Sequence, residues 1–437
     1  MNKPESKPEF LCMAPWTHTY LSPQSERRLC CASREPAQNF EQYIDTAGGS
    51  GKYNPLTLEE WWNSKHVKDI RSTMMKGDIP DACQVCNHKL LNTDVYRTYF
   101  WHMFKHKYDD IWKTTDDTGA TTMRPISWDY RFSNLCNFKC RMCGDMLSSS
   151  WETEAKKHDL IDENNPKNNW LKEPIRSEMK RWQTDAAEKE FGSAVEQGTV
   201  EEIYWVGGEP LMYEQHWEYM KRIIELGYAD RVYARYNTNL SRVDYKGNNL
   251  WNILGHFRDW QVCASIDGTG ETGEYIRTGL KYDQWLDHFK QGVATMKHQR
   301  QLKLDYTLTT PGLMEIKNMV LLAEELNVEL LTKVTFAFDP TILLSPMALT
   351  RELLDEIVDE TVDWLRPRVT PLTQSCLDVL TNMKNRPTFE EQWGEWAEKE
   401  MPTGKRRLKN LDKIRGGNNM EYILAHDKRL LEWWNNL

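Results

Sequence analysis

The chain has 437 residues, 40% hydrophobic and 28% charged, with a net charge of −9. This length allows two or three domains and a sizeable core, and the acidic balance disfavours broad nonspecific affinity for nucleic acid. The start, Met1-Asn2-Lys3-Pro4-Glu5, lacks an apolar signal region and no apolar run reaches membrane-spanning length, so a soluble cytoplasmic protein is expected.

Cysteines dominate the N-terminal region: Cys12, the adjacent pair Cys30 and Cys31, and Cys83-x2-Cys86. Most of the ten cysteines fall in short-spaced groups, which points to metal ligation in a reducing compartment rather than to a disulfide framework. Paired Cys-x2-Cys spacing suits a closed tetrahedral zinc site, and thiolates equally hold iron-sulfur clusters.

From Ile126 the pattern changes. Ile126, Trp128, Tyr130 and Phe132 alternate with Ser127, Asp129 and Arg131, the period of two that marks a half-buried strand. Ser133-Asn134 reads as a turn, and Cys136, Cys140 and Cys143 follow at x3 and x2 spacing. The same spacing is one face of a helix carrying buried thiols. The preceding strand instead places the cysteines in a strand-to-helix loop, where α/β folds position ligands. Three thiolates on a [4Fe-4S] cluster leave one iron open to an exogenous chelator, whereas four close it.

A polar, Asn- and Lys-rich insertion between Asp159 and Glu178 reads as a surface loop. A second strand, Ile203-Tyr204-Trp205-Val206, runs into Gly207-Gly208-Glu209-Pro210 and then a helical stripe of Trp217, Met220, Ile223 and Ile224. Adjacent glycines permit close backbone approach to a ligand. The Glu209 carboxylate is suited to an ammonium group.

Four further strand-like runs follow: Val232 to Tyr236, Trp260 to Ser265, Leu304 to Leu308, and Val334 to Phe338. Helical stripes such as Trp285/Leu286/Phe289/Val293 separate them. Alternation of strand and helix means a parallel sheet with covered faces. Residues 346 to 437 are helical in pattern, and Lys405, Arg406, Arg407, Lys409, Lys413 and Arg415 form the one basic cluster, read as a solvated helix face. The nineteen tryptophans read mainly as packing.

With Cys136-x3-Cys140-x2-Cys143 after one strand and Gly207-Gly208-Glu209 after the next, the chain resembles the radical S-adenosylmethionine (SAM) superfamily. The resemblance covers residues 8 to 345 or so and is closest to the subgroup with an auxiliary-cluster twitch or SPASM-type module. It implies an open (β/α)6 partial TIM barrel at 120–345, with a cysteine-rich auxiliary iron-sulfur module at 8–115 and a helical extension at 346–437. That module ordinarily follows the barrel, and here it precedes it.

The resemblance also implies the chemistry. Cys136, Cys140 and Cys143 would hold the catalytic [4Fe-4S] cluster, whose open iron chelates SAM, with Glu209 near the SAM amino group. Ser265 and Arg277 match positions that contact the ribose and carboxylate of SAM; Asn239 and Asp267 lie at the corresponding strand ends. Cys12, one of Cys30 and Cys31, Cys83 and Cys86 would complete a second, auxiliary [4Fe-4S] cluster. Reductive cleavage of SAM would yield a 5′-deoxyadenosyl radical that abstracts a substrate hydrogen. The implied partners are SAM, an electron donor such as flavodoxin or ferredoxin, and a peptide or protein substrate. Competing functions are a noncatalytic iron-sulfur or zinc scaffold, a small-metabolite radical enzyme, and a nucleic-acid binder using the basic cluster.

Overall fold

The computed structural model describes residues 7–9, 11–34, 55–88, 96–162, 164–335 and 342–437. By contacts it forms two units that cut across chain order. The first holds residues 1–135, 153–235 and 256–259; the second holds 136–152, 236–255 and 260–437.

In the first unit, β1 (His18–Leu21) pairs antiparallel with β2 (Arg27–Arg28) and parallel with β3 (Ser127–Tyr130), in the register His18↔Ser127. Strand β4 (Glu202–Trp205) continues the parallel run through Ser127↔Glu202. The cysteine-rich N-terminal region thus donates sheet strands of its own, which its Cys spacing did not signal. A lateral polar row follows from that register: His18 Nδ1 lies 2.6 Å from Ser127 Oγ, and Ser127 and Tyr99 both donate to the buried Glu202 carboxylate. Arg235 Nε lies 3.3 Å from Glu202, so the buried charge is paired, as burial requires.

Aromatic packing fills the rest of this unit. Trp16, Trp62, Phe100 and Phe104 are buried in one cluster, and Phe191 meets Trp205 and Tyr219 edge-on at 5.9 and 4.9 Å, a favoured geometry for rings. The polar insertion departs from the expected surface loop. Residues Pro166–Leu171 form a 3-10 turn and Ile175–Trp182 a helix, because Trp170, Leu171, Ile175, Met179 and Trp182 make a small core of their own.

Strand β5 (Tyr233–Thr238) gives its first half to this unit and its second half to the other. The second unit then adds a two-strand hairpin, β6 (Asp244–Tyr245) with β7 (Asn248–Asn249). Its parallel strands are β8 (Asp259–Ile266), β9 (Leu302–Leu308) and β10 (Glu329–Val334), joined in the registers Ser265↔Asp305 and Lys333↔Thr307. The last strand lies earlier than Val334–Phe338, since β9 offers partners only as far as Leu308, opposite Val334; residues 336–338 lie outside the described residues.

The two faces of these strands differ sharply. Leu302, Leu304, Tyr306 and Leu308 are fully buried on one face of β9, while Lys303, Asp305 and Thr307 take the other. The same alternation sets Ser265 of β8, and Asp267 just past its end, on the polar face. Helices Tyr282–Thr295 and Ile316–Leu326 bury apolar stripes, including Trp285, Phe289, Met319 and Val320. Thirteen of the nineteen tryptophans are buried, so most indole surface is core.

Candidate functional site

The three central cysteines occupy the loop between β3 and the helix Ser149–Lys157. Four consecutive residues at the start of that helix hold the loop backbone. Ser148 Oγ donates to the Phe138 carbonyl at 2.6 Å, Ser150 Oγ to the Cys136 carbonyl at 2.8 Å, and Trp151 Nε1 to the Cys140 carbonyl at 3.0 Å; the Cys136 N–H donates to Ser149 Oγ at 3.2 Å. From the other side, the N–H groups of Lys139 and Arg141 donate to the carbonyls of Thr278 and Ile276 at 2.7 and 2.8 Å. Gly279, at φ +113°, admits Phe138 where a Cβ would meet its ring at 2.9 Å.

All three cysteine residues are half-buried. Burial nonetheless pushes the Cys140 thiol up to about 12, against the opposing pull of Arg277. Burial also raises Cys143. Donors point at the sulfurs: Asn239 Nδ2 lies 3.8 Å and the Phe138 N–H 3.5 Å from Cys136 Sγ, and Arg277 Nη1 lies 4.0 Å from Cys140 Sγ. Arg277 is oriented by Asp267, which it meets at 2.7 and 3.0 Å. Asp267 also accepts from the Thr307 N–H at 3.0 Å, and burial raises its carboxyl. Asn239 thus approaches Cys136, while Arg277 and Asp267 approach Cys140, with Cys143 beside it.

Ser265 donates to Asp305 at 3.4 Å, a carboxylate that also acts on Asp267 and Arg277. Asp305 also accepts from Asn237 Nδ2 and from Lys333 Nζ, each at 2.8 Å. Sequence reasoning missed Asp305 and Lys333; the available signal was a charge at alternate positions of otherwise apolar strands. It likewise missed Asp412, which binds Arg141 within the cysteine loop.

In the first unit, Gly207-Gly208-Glu209 packs against the segment just before Cys136. The Glu209 N–H donates to the Leu135 carbonyl at 2.7 Å, and any Cβ on Gly208 would collide with that carbonyl. Gly207 has φ +128°, a conformation reserved for glycine. The close approach expected toward a ligand is thus made to the chain itself. Tyr213 links both sides, its hydroxyl accepting from the Gly208 N–H at 2.8 Å and donating to the Ser133 carbonyl at 2.6 Å. The Glu209 carboxylate is buried and accepts from the Leu211 N–H at 3.1 Å.

The N-terminal cysteines divide in a way their spacing did not. Cys12, Cys30, Cys83 and Cys86 line one small cavity of about 20 Å³. Among the described residues no three His, Cys, Asp or Glu side chains, here or in the central cysteine loop, converge tightly enough for a single ion. Burial raises Cys12 to about 12, and burial with Cys31, Cys12 and Cys83 nearby raises Cys30 further. Cys31 faces Asp129, Arg131 and Tyr96 and does not line the cavity.

Most of the basic cluster is engaged. Lys405 donates to the Trp434 carbonyl at 2.5 Å, Lys409 pairs with Glu421 at 2.7 Å, and Arg415 lies 5.2 Å from the Trp151 ring centre. Among the described residues no helix is long and apolar enough to cross a membrane.

No protein-family model and no curated protein matches this chain. Among solved structures it is similar to Streptococcus suis SuiB bound to S-adenosylmethionine, at 13% identity and TM-score 0.36, over 65% of this chain and 59% of that one. SuiB bound to its precursor peptide SuiA matches at 12% identity and TM-score 0.35, over 70% and 62%. A third SuiB structure matches at 13% and 0.37, over 68% and 60%. The chain thus spans about three fifths of the SuiB chains.

Proposed function

We propose that this chain is a radical SAM enzyme that abstracts hydrogen from a peptide or protein substrate. The observation that carries the reading is three half-buried cysteines on one braced loop, with Asn239 and Arg277 directed at two of their sulfurs. Cys136, Cys140 and Cys143 would hold a [4Fe-4S] cluster, which would supply an open coordination position and one-electron reduction chemistry toward SAM.

The donor set fits that group. Cluster ligands must be thiolates, and N–H donors to sulfur stabilise the anionic form and tune its potential. Arg277 brings positive charge to Cys140, and Asp267 fixes its direction. Glu209 is the candidate partner for the SAM ammonium, with Gly207 and Gly208 shaping its approach; Ser265 and Arg277 are candidates for the ribose and carboxylate, with Asn239 and Asp267 as further SAM-binding candidates.

Cys12, Cys30, Cys83 and Cys86 are proposed to hold an auxiliary [4Fe-4S] cluster. Four protein ligands complete its coordination, which suits electron transfer or structure over substrate binding. Residues 8–115, 120–345 and 346–437 are the corresponding module, partial barrel and extension. A peptide is favoured over a small metabolite because the helical extension and aromatic surface offer grip that a metabolite does not need. An external flavodoxin or ferredoxin would supply the electron.

Anaerobically reconstituted protein given SAM and dithionite is expected to form 5′-deoxyadenosine and to contain about eight irons. Alanine at Cys136, Cys140 and Cys143 together should remove about half the iron and all product. Full iron with no SAM cleavage in the unmodified protein would mark a noncatalytic electron carrier instead.

A further inference from the structure

In the second unit, the helices Arg351–Leu365, Phe389–Arg415 and Lys428–Asn436 enclose a groove of about 560 Å³ that none of the sites above uses. Its volume falls in the range of roughly 300–1,000 Å³ typical of ligand sites. Leu353, Met401, Pro402 and Trp433 give it an apolar lining. Two breaks shape its wall: Gly394, at φ +34°, interrupts the helix, and Pro402 lies inside it. With no N–H, Pro402 leaves the Glu398 carbonyl without its usual helical donor.

Charge around the groove is one-sided. Glu390, Glu398 and Glu432 line it and are exposed. None of the three is bonded or ion-paired to another described residue. The single lining cation, Arg429, is already shared among Asp427, Glu356 and Glu360 at 2.6, 2.9 and 3.2 Å. Carboxylates on two separate helices above an apolar lining call for a ligand with cations on both flanks of an apolar centre. A small polyamine offers the charge without the apolar centre, and a lipid tail the reverse.

We propose that this groove docks a polypeptide segment whose apolar side chains are flanked by Lys or Arg. Docking of this kind places apolar anchors in the groove and leaves the charges to set orientation and specificity. It does not depend on the cluster chemistry, so either reading can fail alone.

The test is fluorescence anisotropy of the full-length protein with a labelled probe of about twelve residues, Leu-Trp-Leu at its centre and Lys-Arg pairs on both sides. The charge reversal Glu398→Lys with Glu432→Lys should weaken binding about tenfold or more. Reversal of the exposed pair Asp283 and Glu324, which do not line the groove, to Lys should change it less than about twofold. Replacing the probe's apolar centre by glycine should weaken binding as strongly as the groove reversal. Equal loss from both reversals, equal binding of the glycine probe, efficient competition by spermidine, or no binding of the probe would each overturn the proposal.

Discussion

Arg141 Nη1 lies 2.7 Å from Asp412 Oδ1, which ties the loop between Cys140 and Cys143 to the long C-terminal helix Phe389–Arg415. The guanidinium lies 3.8 Å from the Tyr275 ring centre and its Nε donates to the Tyr275 carbonyl at 2.9 Å. Asp412 in turn accepts from the Met420 N–H at 3.0 Å and from the Tyr275 hydroxyl at 3.2 Å. The C-terminal extension therefore braces the cysteine loop.

Removing one partner of this buried pair should be costly. Asp412→Ala leaves Arg141 charged and uncompensated, with an expected local loss of about 3–5 kcal/mol. Hydrogen exchange at residues 139–143 should rise. The paired change Arg141→Met with Asp412→Leu should recover much of the loss, because two apolar groups leave no stranded charge. Exchange unchanged in Asp412→Ala would mean that other contacts suffice to hold the loop.

Cys30→Ser and Cys31→Ser separate two adjacent thiols with different surroundings. Cys30 lines the cavity with Cys12, Cys83 and Cys86, and Cys31 does not. After reconstitution, Cys30→Ser should lose about four irons, while Cys31→Ser keeps them. Iron and zinc analysis of both variants is the measurement, and the opposite pattern would reverse the ligand assignment.

Gly208→Ala forces a Cβ onto the Leu135 carbonyl oxygen, so both backbone segments must shift. Overpacking of this kind typically costs about 1–3 kcal/mol. Because Leu135 adjoins Cys136, iron incorporation at the central cysteines should fall. Glu209→Ala, in contrast, should keep the clusters yet bind SAM about 10- to 100-fold more weakly, the loss of one charge-assisted partner. Equilibrium dialysis with labelled SAM tests the second expectation; unchanged affinity would leave Glu209 as a cap for Leu211.

Burial holds His216 at about 3, far below the ordinary histidine value of 6.5. A depressed folded value means the unfolded chain binds the extra proton first. Stability from this residue is therefore complete above pH 6.5 or so and declines as pH falls toward 3. At pH 5 the loss should be about 2 kcal/mol. Comparing the local opening free energy of the helix Glu214–Glu225 at pH 7.5 and pH 5 with that of His216→Gln isolates the effect. A pH difference of the same size in both proteins would assign it to other groups, among them His18, whose value burial also lowers.

Alternating residues before Cys136, a continuous apolar run before Gly207 and the close cysteine spacings placed both strands, since these signals are local; β3 is nevertheless buried along its whole length rather than on one face, because parallel strands are covered on both sides. The β3 loop and the Gly-Gly-Glu turn lie where that local pattern puts them. Longer-range facts left no such trace. Whether Cys30 or Cys31 faces the cavity depends on the turn after β2, closed by the Ser33 N–H on the Cys30 carbonyl, and the side-chain directions of a turn leave no spacing in the chain. That Gly208 is needed for Leu135 and Arg141 for Asp412 depends on contacts spanning 73 and 271 positions of sequence. Asp305 and Lys333 looked like ordinary polar positions until the register set them beside Ser265 and Asn237. Periodicity reports which face of a strand is buried; only tertiary packing decides which distant groups share that face, because pairing energies act between neighbours in space and leave no spacing in the chain.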